Sequence, residues 1–348
     1  MDRSYPVDAL VALGARALEA AGVPSADAEL TAAALVDADR RGIASHGLLR
    51  LPLYVSSVQA RGVNARPNPT WVREHGAVAV LDADAALGQV AMAAATERAA
   101  QLAGQFGVAV VAVQNSTHYG AGAYWTERLT ARGLLGILTS TTGVTVTPFG
   151  GVEKVLGTNP LTLAAPSAGP ASLTADMATS AGAYGKVVAA QNEGKPIPEG
   201  WAVDADGRPT TDPTAALAGA LLPFGGPKGS AVAVLLEALA ASLTTASYAY
   251  QTEDIWANRS ARMNTGHLLL AIDTAAFTSR EHTERRVADL QEKVRASAAA
   301  GETTFAPGDI EHAHAQSHAE TVPLAGSTVA QLVELLTSLG LETTPLEP

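Results

Sequence analysis

The sequence predicts an α/β protein preceded by a helical lobe, and three observations carry that prediction. Apolar residues recur at helical spacing through the opening stretch. After Pro67 and Pro69 the texture changes to short β-branched runs separated by helical stretches, the alternation of a layered α/β domain. A Gly-x-Gly-x-x-Gly fingerprint is missing: Gly120-Ala121-Gly122-Ala123-Tyr124-Trp125 fails at its last position, so a standard Rossmann turn is excluded. With 348 residues the chain exceeds the size at which one core stops growing, so two lobes are expected.

Each element has its own signal. Val7, Leu10, Val11 and Leu18 define a first helix that stops at Gly22 and carries Gly14 as a weak point on the same face. A second helix starts after Pro24-Ser25, with Asp27 and Glu29 in its first turn, and runs to about Arg40. Strands are predicted over 78–81, 108–113, 134–139, 161–164, 173–175 and 268–272, and helices over 90–103, 121–132, 230–243 and 281–299. Residues 185–228, rich in Gly, Pro, Asp and Thr, read as ordered loop. A final helix is expected from a capping box, Thr328 with Gln331, followed by Leu332, Leu335, Leu336 and Leu339. No internal repeat is visible.

Composition narrows the class of function. A hydrophobic content of 47% against 16% charged residues supports large cores and excludes disorder. The net charge of -11 argues against a nucleic-acid or anionic-membrane surface and favours a small-molecule ligand. With no cysteine, disulfides, thiolate catalysis and cysteine zinc sites are excluded. The start of the chain is amphipathic, and no segment reaches the roughly 18 apolar residues of a membrane span, so a cytoplasmic protein is expected.

The candidate chemistry is concentrated in Ser45-His46-Gly47-Leu48-Leu49-Arg50. An imidazole titrates near neutrality and can give a proton to a developing alkoxide or take it back. A guanidinium matches a carboxylate bidentately, so Arg50 can hold a 2-oxo or 2-hydroxy acid while His46 addresses the neighbouring oxygen. These are the groups carbonyl reduction needs. Pro52 implies that a helix begins there and leaves both residues on the preceding turn. Two glycine-rich segments precede helices and offer backbone N–H groups to phosphates: His118-Tyr119-Gly120-Ala121-Gly122, and Gly225 to Ser230 with Lys228 as a point charge. Ordinary turns with a solvated lysine are the competing reading.

Ser45-His46-Gly47 with Arg50, Asn115 through Gly120, Gly157-Thr158-Asn159-Pro160, Asp176 through Ser180, Tyr184-Gly185-Lys186 and Gly226-Pro227-Lys228-Gly229 occur in one order. That order resembles the type-2 malate/L-lactate dehydrogenase family, whose members include ureidoglycolate and sulfolactate dehydrogenases, diketogulonate reductase and piperideine-2-carboxylate reductases. The resemblance spans about residues 5 to 340. It implies a three-layer α/β/α fold with an unusual mixed sheet, unlike Rossmann, plus a helical N-terminal region. A homodimer and NAD(P)-dependent hydride transfer at C2 of a 2-oxo acid, or of a cyclic imine analogue, are implied too. The expected organisation is a helical region over 1–70, packed with 300–348, and an α/β cofactor-binding and catalytic domain over 71–299. By the same resemblance His46 is the proton donor and Ser45 its hydroxyl partner. Arg50 and Thr158 contact the substrate carboxylate, and Tyr184 and Gly185 are substrate-side positions. His118, Tyr119, Gly120, Ala121 and Gly122, then Asp176, Met177 and Ala178, Lys228, and the Pro307-Gly308-Asp309 turn are cofactor segments, binding NAD or NADP.

Lys186 selects among subfamilies, because the imine reductases carry aspartate at that place. A lysine stabilises alkoxide or a second carboxylate and repels an iminium cation. The sequence also departs from the family. Ser230-Ala231 replaces a Tyr-Gly pair, and Asp309 stands where glutamate is usual. The segment with His312, His314 and His318 is unusually histidine-rich; it is expected to be exposed loop, since the spacing does not align three imidazoles for a metal. His75, His267 and His282 read as structural or exposed. Beside the oxidoreductase stand two alternatives, a metal-dependent hydrolase on those histidines and a silent nucleotide-binding member.

Overall fold

Short range order follows the sequence closely. The computed structural model describes residues 3 to 346. A strand β1 (Arg3–Pro6) leads into α1 (Val7–Ala20) and α2 (Ser25–Arg40), each entered from a proline whose fixed φ suits a helix start. Gly14 is the contact between them: a Cβ there would lie 2.9 Å from the Ala32 Cβ, so the missing side chain lets the two helices approach. Two single 3₁₀ turns, Ala44–His46 and Leu48–Arg50, then run into α3 (Leu51–Gln59), with Pro52 in its first turn.

The layered part follows. Strands β2 (Thr70–His75) and β3 (Val78–Asp82) precede α4 (Gly88–Phe106), β4 (Val108–Ser116), α5 (Ala123–Thr130), β5 (Leu134–Ser140), β6 (Leu161–Ala165) and β7 (Leu173–Met177). Next come α6 (Tyr184–Glu193), β8 (Ala202–Val203), β9 (Pro209–Thr210), α7 (Pro213–Ala218), β10 (Ala220–Leu221) and α8 (Pro227–Ser242). The chain ends with β11 (Thr265–Asp273), α9 (Arg280–Arg295), α10 (Asp309–Ser317), β12 (Thr321–Leu324) and α11 (Gly326–Ser338).

Seven strands form one mixed sheet in the order β2-β3-β4-β11-β5-β6-β7. Only β3 and β4 run parallel, joined by the α4 crossover that a parallel pair requires. The late strand β11 inserts antiparallel between β4 and β5, which no Rossmann sheet does. Period-two alternation assigns the faces. Leu269, Ala271 and Leu138 pack with α4 and α5, whereas a Cβ on Gly266 would overlap Ala240 of α8. Helices therefore cover both faces, giving three layers. On the α4/α5 side Trp125 is fully buried and donates its indole N–H to the Tyr119 carbonyl at 3.1 Å. Burial of so large a ring contributes about 3–5 kcal/mol.

A second core joins α1, α2, α3 and α11 with β1 and β12, which pair antiparallel. Arg41 ties this lobe to the sheet layer: it donates to both Glu127 oxygens on α5, at 2.9 and 2.7 Å, and to Asp37 at 2.6 Å.

Three expectations are corrected. Residues 185–228 are not loop but a small lobe, with α6 and α7 packed on the three-stranded sheet β10-β8-β9 around Val187, Ile197 and Leu221. Elements of two to ten residues are too short to show a period. The capping box is absent: α11 starts at Gly326 from an uncapped Ala325, and Thr328 is buried in its first turn. Docking of β12 on β1 decides where that helix begins. The histidine-rich segment is helix α10, whose C-terminal carbonyls at Ala315 and His318 accept from Arg40. No group of ligands fit for a metal exists among the described residues.

Candidate active site

The two 3₁₀ turns place the chemistry. Gly47 separates them in extended backbone, so Ser45 and His46 end one turn and Arg50 ends the next. Ser45 Oγ lies 2.9 Å from His46 Nδ1, and Arg50 Nε donates to the Ser45 carbonyl at 2.6 Å. The serine occupies Nδ1, which leaves His46 Nε2 for an incoming oxygen. The guanidinium stands 5.2 Å over the Trp256 ring, a cation–π contact that fixes its plane.

A second imidazole completes the group. His118 stacks on His46 at 5.4 Å between centroids and meets the edge of Trp256 at 5.4 Å. Its Nδ1 receives the Gly120 N–H at 3.3 Å and lies 2.6 Å from the Tyr54 hydroxyl. Gln89 Nε2 donates to that hydroxyl at 3.2 Å, so the tyrosine proton points to His118. Two donors on Nδ1 hold His118 as the Nε2–H tautomer. It is a neutral donor, not a base.

The electrostatics agree. Burial and then the Arg50 charge lower the His46 pKa below its usual 6.5, with Asp176 opposing them. Burial, followed by His46 and Arg50, holds His118 well below that value. Burial also pushes Tyr54 up to about 12, so it keeps its proton. His267, by contrast, is structural. It is buried between Ser116 and Ser140, at 2.9 and 2.8 Å, and desolvation lowers it to about 3.

The other sequence-predicted residues fall into separate groups. Tyr119 is buried, with its hydroxyl unpartnered, and faces His267. Gly120 has φ +83°, and Gly122 leaves no room for a Cβ beside Thr162. Asp176 fixes this Gly120-Ala121-Gly122 entry to α5: its carboxylate accepts from Ala123 N at 2.9 Å and Thr162 Oγ1 at 2.7 Å. Met177 and Ala178, at the end of β7, are exposed. Thr158 packs on Thr142, whose Oγ1 accepts the Thr158 N–H at 2.9 Å. Neighbouring Gly143 abuts Asp254, which in turn influences Arg50. Tyr184, Gly185 and Lys186 form the exposed first turn of α6.

Gly225 and Gly226, both at positive φ, lead to exposed Lys228 in the first turn of α8. Ser230, the departure from the family pattern, accepts the Phe149 N–H at 3.0 Å. Pro307 and Gly308 lie against β7 through Thr174, and Asp309 is held by Arg295 at 2.7 and 2.9 Å. Tyr54, Trp256 and Asp254 were not singled out from sequence. Tyr54 is four residues beyond Arg50, a spacing that shares a helical face; Trp256 lies in a stretch with no period to mark it.

Comparison with known proteins identifies the family. The family model for malate/L-lactate dehydrogenase covers residues 5–333. L-sulfolactate dehydrogenase of Methanocaldococcus jannaschii is 38% identical over 92% of this chain and 92% of its own length. (2R)-3-sulfolactate dehydrogenase (NADP(+)) of Chromohalobacter salexigens is 38% identical over 95% of this chain and 98% of its own. Ureidoglycolate dehydrogenase (NAD(+)) of Escherichia coli is 39% identical over 75% and 74%. The solved structure of the M. jannaschii sulfolactate dehydrogenase superposes with a TM-score of 0.92 at 36% identity, covering 98% of this chain and 99% of that one. The chain therefore belongs to the malate/L-lactate dehydrogenase family, oxidoreductases built on a sheet that is not the Rossmann sheet.

Proposed function

We propose that this protein interconverts a small 2-oxo acid and its 2-hydroxy acid with a nicotinamide dinucleotide. The convergence of His46 and Arg50, on adjacent 3₁₀ turns, with His118 from the loop after β4 carries this reading. Arg50 grips the C1 carboxylate with its fork, and His118 donates its Nε2–H to a substrate oxygen. His46 Nε2–H delivers a proton to the C2 oxygen as charge builds there, and Ser45 accepts from Nδ1–H throughout. In the reverse direction neutral His46 removes the hydroxyl proton. Thr158, Tyr184 and Gly185 line the substrate side, and Lys186 meets a second anionic group, as in the sulfolactate that names two of the relatives.

The residues present fit a dinucleotide. Gly225 and Gly226 adopt positive φ ahead of α8, whose first turn carries the exposed Lys228 as a point charge for pyrophosphate. A Cβ at Gly185 would meet open space, and the β7 end at Asp176, Met177 and Ala178 is exposed. His118 to Gly122 and the Pro307-Gly308-Asp309 turn complete the set. When bound, the nicotinamide supplies or accepts the hydride.

Turnover followed at the nicotinamide absorbance band, with NADH or NADPH and a panel of 2-oxo acids, malate, sulfolactate, ureidoglycolate and cyclic imines, tests the reading. Oxidation or reduction at an oxo- or hydroxy-acid centre is expected. Turnover of cyclic imines alone would replace it by the imine reductase, and silence across the panel by a non-catalytic binder.

We further propose a homodimer. No helix among the described residues is long and apolar enough to cross a membrane, yet α8 shows solvent an uncharged face of Val232, Val234, Leu235 and Leu239, continued by Leu243 just past its end. Its sole carboxylate, Glu237, is turned inward. Such a stripe on a 16-residue helix suits an isologous contact with a second copy. Leu235→Glu with Leu239→Glu is expected to halve the solution mass in light scattering while circular dichroism stays unchanged; a wild-type monomer would sink the proposal.

A further inference from the structure

Asp39 presents a buried carboxylate that the reaction above does not use. It sits at the end of α2 and is 7% exposed. Among the described residues no ion pair and only one side-chain hydrogen bond reach it, from the Leu48 N–H at 2.7 Å. Burying a charge so poorly compensated is costly, and desolvation raises the Asp39 pKa to about 7. The position explains the expense. Gly47 lies flat against the carboxylate, where any Cβ would overlap it, and Leu48 opens the helical run that continues into α3. The N–H it grips is one of the orphan donors of that run, where negative charge is also favoured by the helix dipole.

We propose that Asp39 is a positioning residue: by clamping the Gly47–Leu48 peptide it fixes Ser45 and His46 on one side at a set separation from Arg50 on the other. The two 3₁₀ turns have few backbone hydrogen bonds of their own, His46 N to Ile43 O, Gly47 N to Ala44 O, Arg50 N to Gly47 O and Leu51 N to Leu48 O; the Arg50 side chain ties them through the Ser45 carbonyl, and the Gly47–Leu48 peptide between them is held by Asp39. Small misplacements matter, since a shift of about 1 Å in a reacting group costs on the order of 100-fold in rate. What acts is the acceptor oxygen, not the charge. Asparagine, which keeps an oxygen on the same stem, preserves the clamp, and alanine removes it.

This inference rests on the oxidoreductase reading, and its test is separable from it. Asp39→Ala, Asp39→Asn and Gly47→Ala are compared with the wild type in the full chain. Three quantities are read: kcat/KM for the oxo acid, the Kd of NADH or NADPH, and the titration of the His46 Cε1–H resonance. Asp39→Ala and Gly47→Ala should each lower kcat/KM about 10- to 100-fold and move the His46 titration, with cofactor Kd within about two-fold of wild type. Asp39→Asn should restore kcat/KM to within about five-fold of wild type and return the resonance. A silent Asp39→Ala, a failure of Asn to rescue, or a parallel loss of cofactor affinity overturns the proposal. If the wild type turns over no panel compound, the function fails, while the His46 resonance in the three variants still decides the role of Asp39.

Discussion

His46→Gln is expected to reduce steady-state turnover by about 10³-fold in both directions while leaving cofactor affinity within a few fold. The proton that quenches charge on the substrate oxygen has no comparable second source in the site. His118 is fixed as a neutral Nε2–H donor by Tyr54 and Gly120, and burial opposes its recharging. Tyr54 keeps its own proton near neutrality because burial raises it to about 12. Glutamine preserves bulk and a hydrogen bond but cannot exchange a proton, so single-turnover measurements at the nicotinamide band isolate the lost step. Retention of a tenth or more of wild-type activity would falsify the assignment. The pH profile carries the same signature. Since burial and Arg50 lower the His46 pKa below 6.5, the imidazolium required for reduction is depleted as pH rises through that lowered value. Reductive kcat/KM should fall across that range, and oxidative kcat/KM should rise across it, because oxidation needs the neutral form.

Arg50→Gln should raise KM for the acid by about 100-fold, the consequence of losing a charge-assisted pair worth about 2–3 kcal/mol. Arg50→Lys should recover only part of this, because an ammonium cannot form the fork or lie over Trp256 in the same way. The glutamine variant has a second effect of opposite sense to its damage. The guanidinium is one of the causes that depress His46, so its removal lets the imidazole pKa move back up toward 6.5. The titration of the His46 ring therefore reports whether the two side chains share one electrostatic site. An unchanged titration together with an unchanged KM would remove Arg50 from the substrate pocket.

Particular residues mark how far the sequence reaches. Ser45, His46 and Arg50 were legible because they lie within six positions, and Pro52 announced the turn that holds them. Gly14 was visible only as a weak point in α1; that it is the contact surface for Ala32 emerges from the packed pair. Asp176 reads from the family order as a cofactor residue, and in the structure its carboxylate is spent on Ala123 and Thr162, at the start of α5. The lobe built from α6, α7 and three two-residue strands left no periodic trace, since elements that short are made by their neighbours. Thr328 and Gln331 had the spacing of a cap yet lie inside the helix, because the β1–β12 pairing sets its start.

The sequence by itself determined the long helices and strands, the lack of a Rossmann turn and the family order of motifs, all of which depend on local periodicity or on identity at fixed spacing. Tertiary structure alone decided that Tyr54 meets His118 across 64 positions, that Trp256 lies under Arg50, and that Asp39 is buried beneath Gly47. The first two contacts arise when the helical lobe packs on a sheet whose β11 is inserted out of chain order, and the third when the 3₁₀ turns fold back on the end of α2. Burial, tautomer and pKa are properties of that assembled surrounding, and no residue carries them in isolation.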